Sequence, residues 1–237
     1  MNKTNSFWIG GIHSVIAAIQ NKSRKIRQVI TTEKNLELEK LKINYRVVEK
    51  KKIIKIFKDQ EFQFQNIAAE IDLLEQKNLE EEVAKQKFKN IIILDGVNDP
   101  RNIGSIVRTS VAFNIDAIIL KDRDFKATSA TMYKSACGGM ELINIFEVIN
   151  LNHAINLLKK NNFWIYGLDH EAKSYLKVNQ LLDKNVYIFG AEGDGISKKI
   201  KEKCDYLIKL KTNPNMQSLN VSNAVSATLS VIANNLP

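Results

Sequence analysis

Short, largely apolar runs recur through the C-terminal part of the chain: Ile91–Leu94, Ala117–Leu120, Phe163–Leu168, Val186–Phe189 and Leu207–Leu210. All have strand length, and those without polar residues read as strands buried on both faces. Helical spacing separates them, through Ile103, Ile106, Val107 and Val111, through Ala154 and Leu158, and through Val225, Leu229 and Ile232. Buried strands alternating with amphipathic helices predict an α/β fold, a mostly parallel sheet covered on both sides. A polar loop holding Ser129, Thr131 and Ser135 is expected between the second run and a strand over Ile143–Val148.

The front of the chain reads as a separate, smaller α/β unit over residues 1–74. Gly10 and Gly11 precede a helical pattern through Val15, Ile16 and Ile19. Strand-like IRQVIT, a short helix near Leu36–Leu41, strand-like YRVVE, a helix over Lys51–Phe57 and a strand over Ile67–Ile71 follow. His13 has no acid nearby in sequence and reads as a packing residue. Residues 75–89, EQKNLEEEVAKQKFK, lack glycine and place acids a turn before lysines, which predicts a charged, partly helical linker. The second domain then spans residues 90–237.

Charge separates the two parts. The net charge is +9, and residues 1–60 hold 14 Lys or Arg against 5 Asp or Glu, so the remainder is neutral. A positive field confined to one domain attracts a polyanion, and nucleic-acid phosphate is the commonest candidate. No apolar run approaches membrane-spanning length and the N-terminus lacks a signal-peptide pattern, so a cytoplasmic protein without a membrane partner is expected. Cys137, Cys204 and three histidines show no metal-ligand spacing, and no metal is expected.

Chemistry is expected where strands end in polar turns, since open α/β sheets bind ligands there. NDPRNIG follows the first run, GAEGDGIS the fourth, and KTNPNMQSLN the fifth. Gly190, Gly193 and Gly195 permit a tight turn, but their spacing is not the dinucleotide fingerprint. Glu192 and Asp194 would also repel a pyrophosphate, which disfavours a nicotinamide or nucleoside-triphosphate enzyme. Ser218 or Asn220 could cap the last helix.

In order and spacing, NDPRNIGSIVR, IFGAEGDGIS and LIKLKTNPNMQSLNVSNA resemble the motifs of the SpoU branch of the SPOUT RNA methyltransferases. The resemblance covers about 145 residues, from Ile91 to near the C-terminus. GIHSVIAAI is similar to the opening of the small RNA-binding domain of bacterial 23S ribosomal RNA guanosine ribose methyltransferases of the RlmB type. The resemblance implies transfer of a methyl group from S-adenosyl-L-methionine to a ribose 2′-hydroxyl, a C-terminal trefoil knot and a homodimer. It implies as substrate an RNA, 23S ribosomal RNA or a ribosomal assembly intermediate. It assigns Gly190, Leu210 and Leu219 to the cofactor, and Asn102, Arg108, Glu192, Ser218 and Asn220 to the reaction. At Gly190 a Cβ is expected to obstruct a planar base lying on the backbone. The family's His-Gln-Gly-Ile-Ala stands here as Phe64, Gln65, Asn66, Ile67 and Ala68, and Lys211, Thr212 and Pro214 replace its Pro-Met and downstream Gly. A transfer RNA substrate, or an RNA-binding protein without catalysis, are the alternatives.

Overall fold

Residues 6–57, 66–177, 181–213, 215 and 218–233 are described in the computed structural model. Phe64, Gln65 and Pro214 therefore lie outside the described residues. Two compact units result, one of residues 1–75 with 127–142, the other of residues 76–126 with 143–237.

In the first unit, strands β1 (Ser6–Gly10), β2 (Ile26–Thr31), β3 (Arg46–Val47) and β4 (Ile67–Asp72) form a sheet in the order β1-β4-β2-β3. Helices α1 (Ile12–Gln20), α2 (Leu36–Lys40) and α3 (Lys50–Ile56) connect them. Strand β4 pairs antiparallel with both β1 and β2, and β3 joins β2 in parallel. Asn66, at the position of the family's glycine, takes a left-handed φ of 62°. Asparagine tolerates that region better than most residues, so the turn into β4 survives the replacement.

The chain supplies this unit with one more piece from far along the sequence. Where a loop is expected around Ser129, Thr131 and Ser135, residues Ala130–Ala136 instead form helix α5. Ser129 caps it by accepting the Met132 N–H at 3.3 Å. Ala130, Met132, Tyr133 and Ala136 are buried, while the polar residues that suggested a loop occupy other positions around the same helix. Beyond it, the carboxylate of Glu141 takes Arg24 Nη2 at 2.8 Å, with both side chains 1% exposed. Arg24 also donates to Tyr133 Oη at 3.1 Å and to the Asp72 carbonyl at 2.6 Å, and Asn21 donates to Glu141 at 2.7 Å. Burial foremost, with Glu141 adding to it against the opposing pull of Arg24, pushes the Tyr133 hydroxyl up to about 12. Each buried polar group here has a partner, which is what makes a buried ion pair tolerable.

The second unit holds a seven-stranded sheet. Its strands are β5 (Asn90–Asp95), β6 (Ala117–Lys121), β7 (Asn144–Val148), β8 (Trp164–Leu168), β9 (Ser174–Tyr175), β10 (Asn185–Gly190) and β11 (Tyr206–Lys209). The order is β7-β6-β5-β10-β8-β11-β9, and every pairing is parallel. Ile91, Ile92, Ile93 and Leu94 are all 0% exposed, as a strand covered on both faces requires. The further helices are α4 (Leu79–Ala84), lying in the expected linker, α6 (Pro100–Ala112), α7 (Leu151–Lys160), α8 (Lys198–Lys201) and α9 (Val221–Ala233). Asn78 caps α4 by accepting the Glu81 N–H, and Val83 and Phe88 are buried in the sheet's core with Phe146, Ile155 and Leu158. Among the described residues no helix is long and apolar enough to cross a membrane.

Candidate functional site

The sheet order reverses direction beside β5, where β6 lies on one side and β10 on the other. Crevices of this kind open at the C-terminal strand ends, here Asp95 and Gly190, which face each other in register. The three polar segments singled out in the sequence leave from this end of the sheet.

The loop after β10 is built by close backbone packing. Gly193 and Gly195 have φ of 94° and 62°, values that L side chains rarely adopt, and the Gly195 N–H returns to the Ala191 carbonyl at 2.9 Å. A Cβ at Gly190 would stand 1.9 Å from the Gly195 carbonyl carbon and 2.2 Å from Ile196 N. The loop itself thus requires glycine at 190, which replaces the sequence-based explanation of a base lying on the backbone.

Asp95 holds the far end of that loop. Its carboxylate accepts the Ser197 N–H at 2.9 Å and Lys121 Nζ at 3.0 Å, with the side chain only 3% exposed. Burial works to raise its pKa, but the Ser197 hydroxyl and N–H together with Lys121 outweigh it and hold the carboxyl below the ordinary range.

Helix starts place the remaining groups. Asp99 caps α6 by accepting the Arg101 N–H at 2.9 Å, and Pro100 fits the first turn, so Asn102 sits at the helix mouth. Asn220 stands just before α9, where its Oδ1 accepts the Ser222 N–H at 2.9 Å. Its Nδ2 donates to Asn102 Oδ1 at 3.1 Å and to Glu192 Oε1 at 3.0 Å. Asn102, Glu192 and Asn220, expected at one point, therefore form one hydrogen-bonded trio.

The other expected residues stand around it in different ways. Arg108 is exposed on α6, about 9 Å along the axis from Asn102 and about a third of a turn around it. Ser218 is exposed two positions before Asn220. Leu210 is half-buried after β11, and Leu219 is 38% exposed, so neither is a fully covered core residue. Leu219 at the surface beside Asn220, with the Glu192 carboxylate that Asn220 holds, suits a ligand with an apolar ring and a cationic centre.

Ser222 escaped the sequence reading. Its Oγ lies 2.6 Å from Asn220 Oδ1, and the residue is 8% exposed. The signal available was its place two residues after a capping asparagine. A cavity of ≈ 250 Å³ lined by Asn90, Phe113, Tyr187, Leu229 and Ile232 lies toward the opposite end of the strands and belongs to no strand-end loop. Among the described residues no group of three or more His, Cys, Asp or Glu could hold a metal ion.

Residues 89–230 match the model of the SpoU rRNA Methylase family. Over 240 residues the chain is 31% identical to the 23S rRNA (guanosine-2′-O-)-methyltransferase RlmB of Xylella fastidiosa, covering 97% of this chain and 96% of that one. The fold is similar to the SpoU methyltransferase AviRb from Streptomyces viridochromogenes in complex with AdoMet, with a TM-score of 0.81 over 97% of this chain and 90% of that one at 16% identity. An AdoMet-bound rRNA methyltransferase from Sinorhizobium meliloti superposes with a TM-score of 0.80 over 100% of this chain and 90% of that one at 20% identity.

Proposed function

The chain belongs to the SpoU rRNA methylase family, and on that premise we propose that it transfers a methyl group from S-adenosyl-L-methionine to the ribose 2′-hydroxyl of a guanosine in 23S ribosomal RNA. The observation that carries this reading is the meeting of Asn102, Glu192 and Asn220, delivered from three strand ends to one point. The full-length similarity to RlmB supports ribosomal over transfer RNA as the substrate.

Bound S-adenosyl-L-methionine supplies a methyl group already activated by its sulfonium. What remains for the protein is orientation of a weak nucleophile, a task of positioning. The backbone at Gly190 and the side chains of Leu210 and Leu219 hold the adenosine. Asn220 and Glu192 fix the ribose, and Ser218 positions its hydroxyl. Arg108 holds the adjoining phosphate and offsets developing charge. The strand-end segments close as a trefoil knot, and two copies associate through the knotted domain. The first unit binds RNA through its basic surface, to which α3 contributes exposed Lys50, Lys51, Lys52 and Lys55.

The test is transfer of labelled methyl from S-adenosyl-L-methionine to 23S ribosomal RNA, to assembly particles and to transfer RNA, with the modified ribose located by resistance to alkaline cleavage. Label in one guanosine ribose of 23S RNA or its particle is the expected result. Label only in transfer RNA would move the substrate, and methyl on a base would overturn the reaction.

A further inference from the structure

We infer that Ser222 is a positioning residue for the methyl transfer, acting through Asn220, an inference that rests on the function proposed above. An asparagine amide can present either its oxygen or its nitrogen to a given neighbour, and only its partners decide which. At Asn220 two donors converge on the oxygen, the Ser222 N–H at 2.9 Å and the Ser222 hydroxyl at 2.6 Å. Two acceptors converge on the nitrogen, Asn102 Oδ1 at 3.1 Å and Glu192 Oε1 at 3.0 Å. Turning the amide over would set N–H against N–H at Ser222 and oxygen against a carboxylate at Glu192.

The serine hydroxyl is the part of this arrangement that a side-chain change can remove. The N–H alone then keeps the oxygen end, and the Asn220 side chain gains freedom to tilt away from Asn102 and Glu192. Ser222 itself has a fixed seat. Its carbonyl accepts Ser226 Oγ at 3.0 Å, and Ser226 in turn lies 3.2 Å from Thr109 Oγ1 on α6, the helix that carries Asn102. One helix start thus orients the amide, and a lateral contact keeps that start in register with the helix bearing the amide's acceptor.

Ser222→Ala and Ser222→Thr test this in the full chain, with kcat and KM for RNA, the Kd for S-adenosyl-L-methionine and the thermal midpoint all measured. Ser222→Ala should lower kcat about fivefold to thirtyfold, the loss of one well-made hydrogen bond, with cofactor Kd and thermal midpoint close to the native values. Ser222→Thr, which keeps a hydroxyl, should recover kcat to within about threefold of native. An undiminished kcat in Ser222→Ala overturns the inference, as does a loss that comes only with weakened cofactor binding and a lowered midpoint, or one that threonine fails to relieve while the midpoint is native. Absence of transfer by the native chain on every RNA substrate instead removes the functional reading, and this inference with it.

Discussion

The side-chain amide of Asn220 donates to Asn102 Oδ1 at 3.1 Å, joining residues 118 positions apart at the mouths of two different helices. The same amide nitrogen reaches Glu192 from a third segment. Asn220→Ala would leave Glu192 and Asn102 without their shared donor and remove the cap of α9. A fall in kcat of about a hundredfold is expected, along with about 1 kcal/mol of stability from the lost cap. Steady-state methyl transfer and denaturant melts separate the two effects.

Arg108 stands apart from the trio on an exposed part of α6. If it holds phosphate, Arg108→Ala should bind S-adenosyl-L-methionine as the native chain does yet lose about two orders of magnitude in transfer, and Arg108→Lys should recover only part. Calorimetry with the cofactor beside single-turnover transfer checks both halves. Native transfer by Arg108→Ala would end that assignment.

Gly190→Ala places a methyl group against backbone rather than against a flexible side chain, with contacts as short as 1.9 Å. The loop after β10 must shift as a whole. A loss of about 3 kcal/mol or more in stability and a large loss of cofactor affinity are expected together.

Asp95 gives a pH signature. Its carboxyl is held below the ordinary range when folded, so its contribution is complete above the unfolded value of about 4 and fades as pH falls through the lower folded value. Asp95→Asn leaves Lys121 without its carboxylate and should lose about 1–3 kcal/mol near neutrality. The gap between native and variant should narrow below about pH 4. Thermal melts across pH 2.5–7 would show it, and a gap that widens in acid would contradict the ion pair's role.

Removal of residues 1–75 strips Tyr133 and Glu141 of Arg24 and Asn21, and exposes the buried face of Ala130–Ala136. The remaining chain should melt lower than the native one and self-associate. Replacing Arg24 alone with Met leaves the Glu141 carboxylate buried without its main partner, at a loss of about 3–5 kcal/mol. Chemical denaturation measures the second directly.

Much of the sheet was legible because Ile91–Leu94 and Val186–Phe189 are short, uniformly apolar and closed by Asp95-Gly96 and Gly190, the pattern of a doubly covered strand. The trio was legible for a different reason: three motifs resembling those of one family, met in the family's order, carry Asn102, Glu192 and Asn220. Helix α5 was hidden because Ser129, Thr131 and Ser135 give it the composition of a loop, while the surface it packs on comes from residues more than a hundred positions earlier. Asp95 was hidden because Ser197, the donor to its carboxylate, lies 102 residues away. Spacing along a chain cannot announce a partner that only tertiary folding delivers.

Arg24 and Glu141 lie 117 residues apart, which sets an order of events during synthesis. The four strands of the first sheet leave the ribosome while the carboxylate that neutralises Arg24 has yet to be polymerised, a lag of roughly ten seconds at ordinary elongation rates. Until Glu141 emerges, the guanidinium must stay hydrated and the apolar surface that meets Tyr133 stays open. The N-terminal piece thus completes its packing only after the enzyme's middle third has been translated.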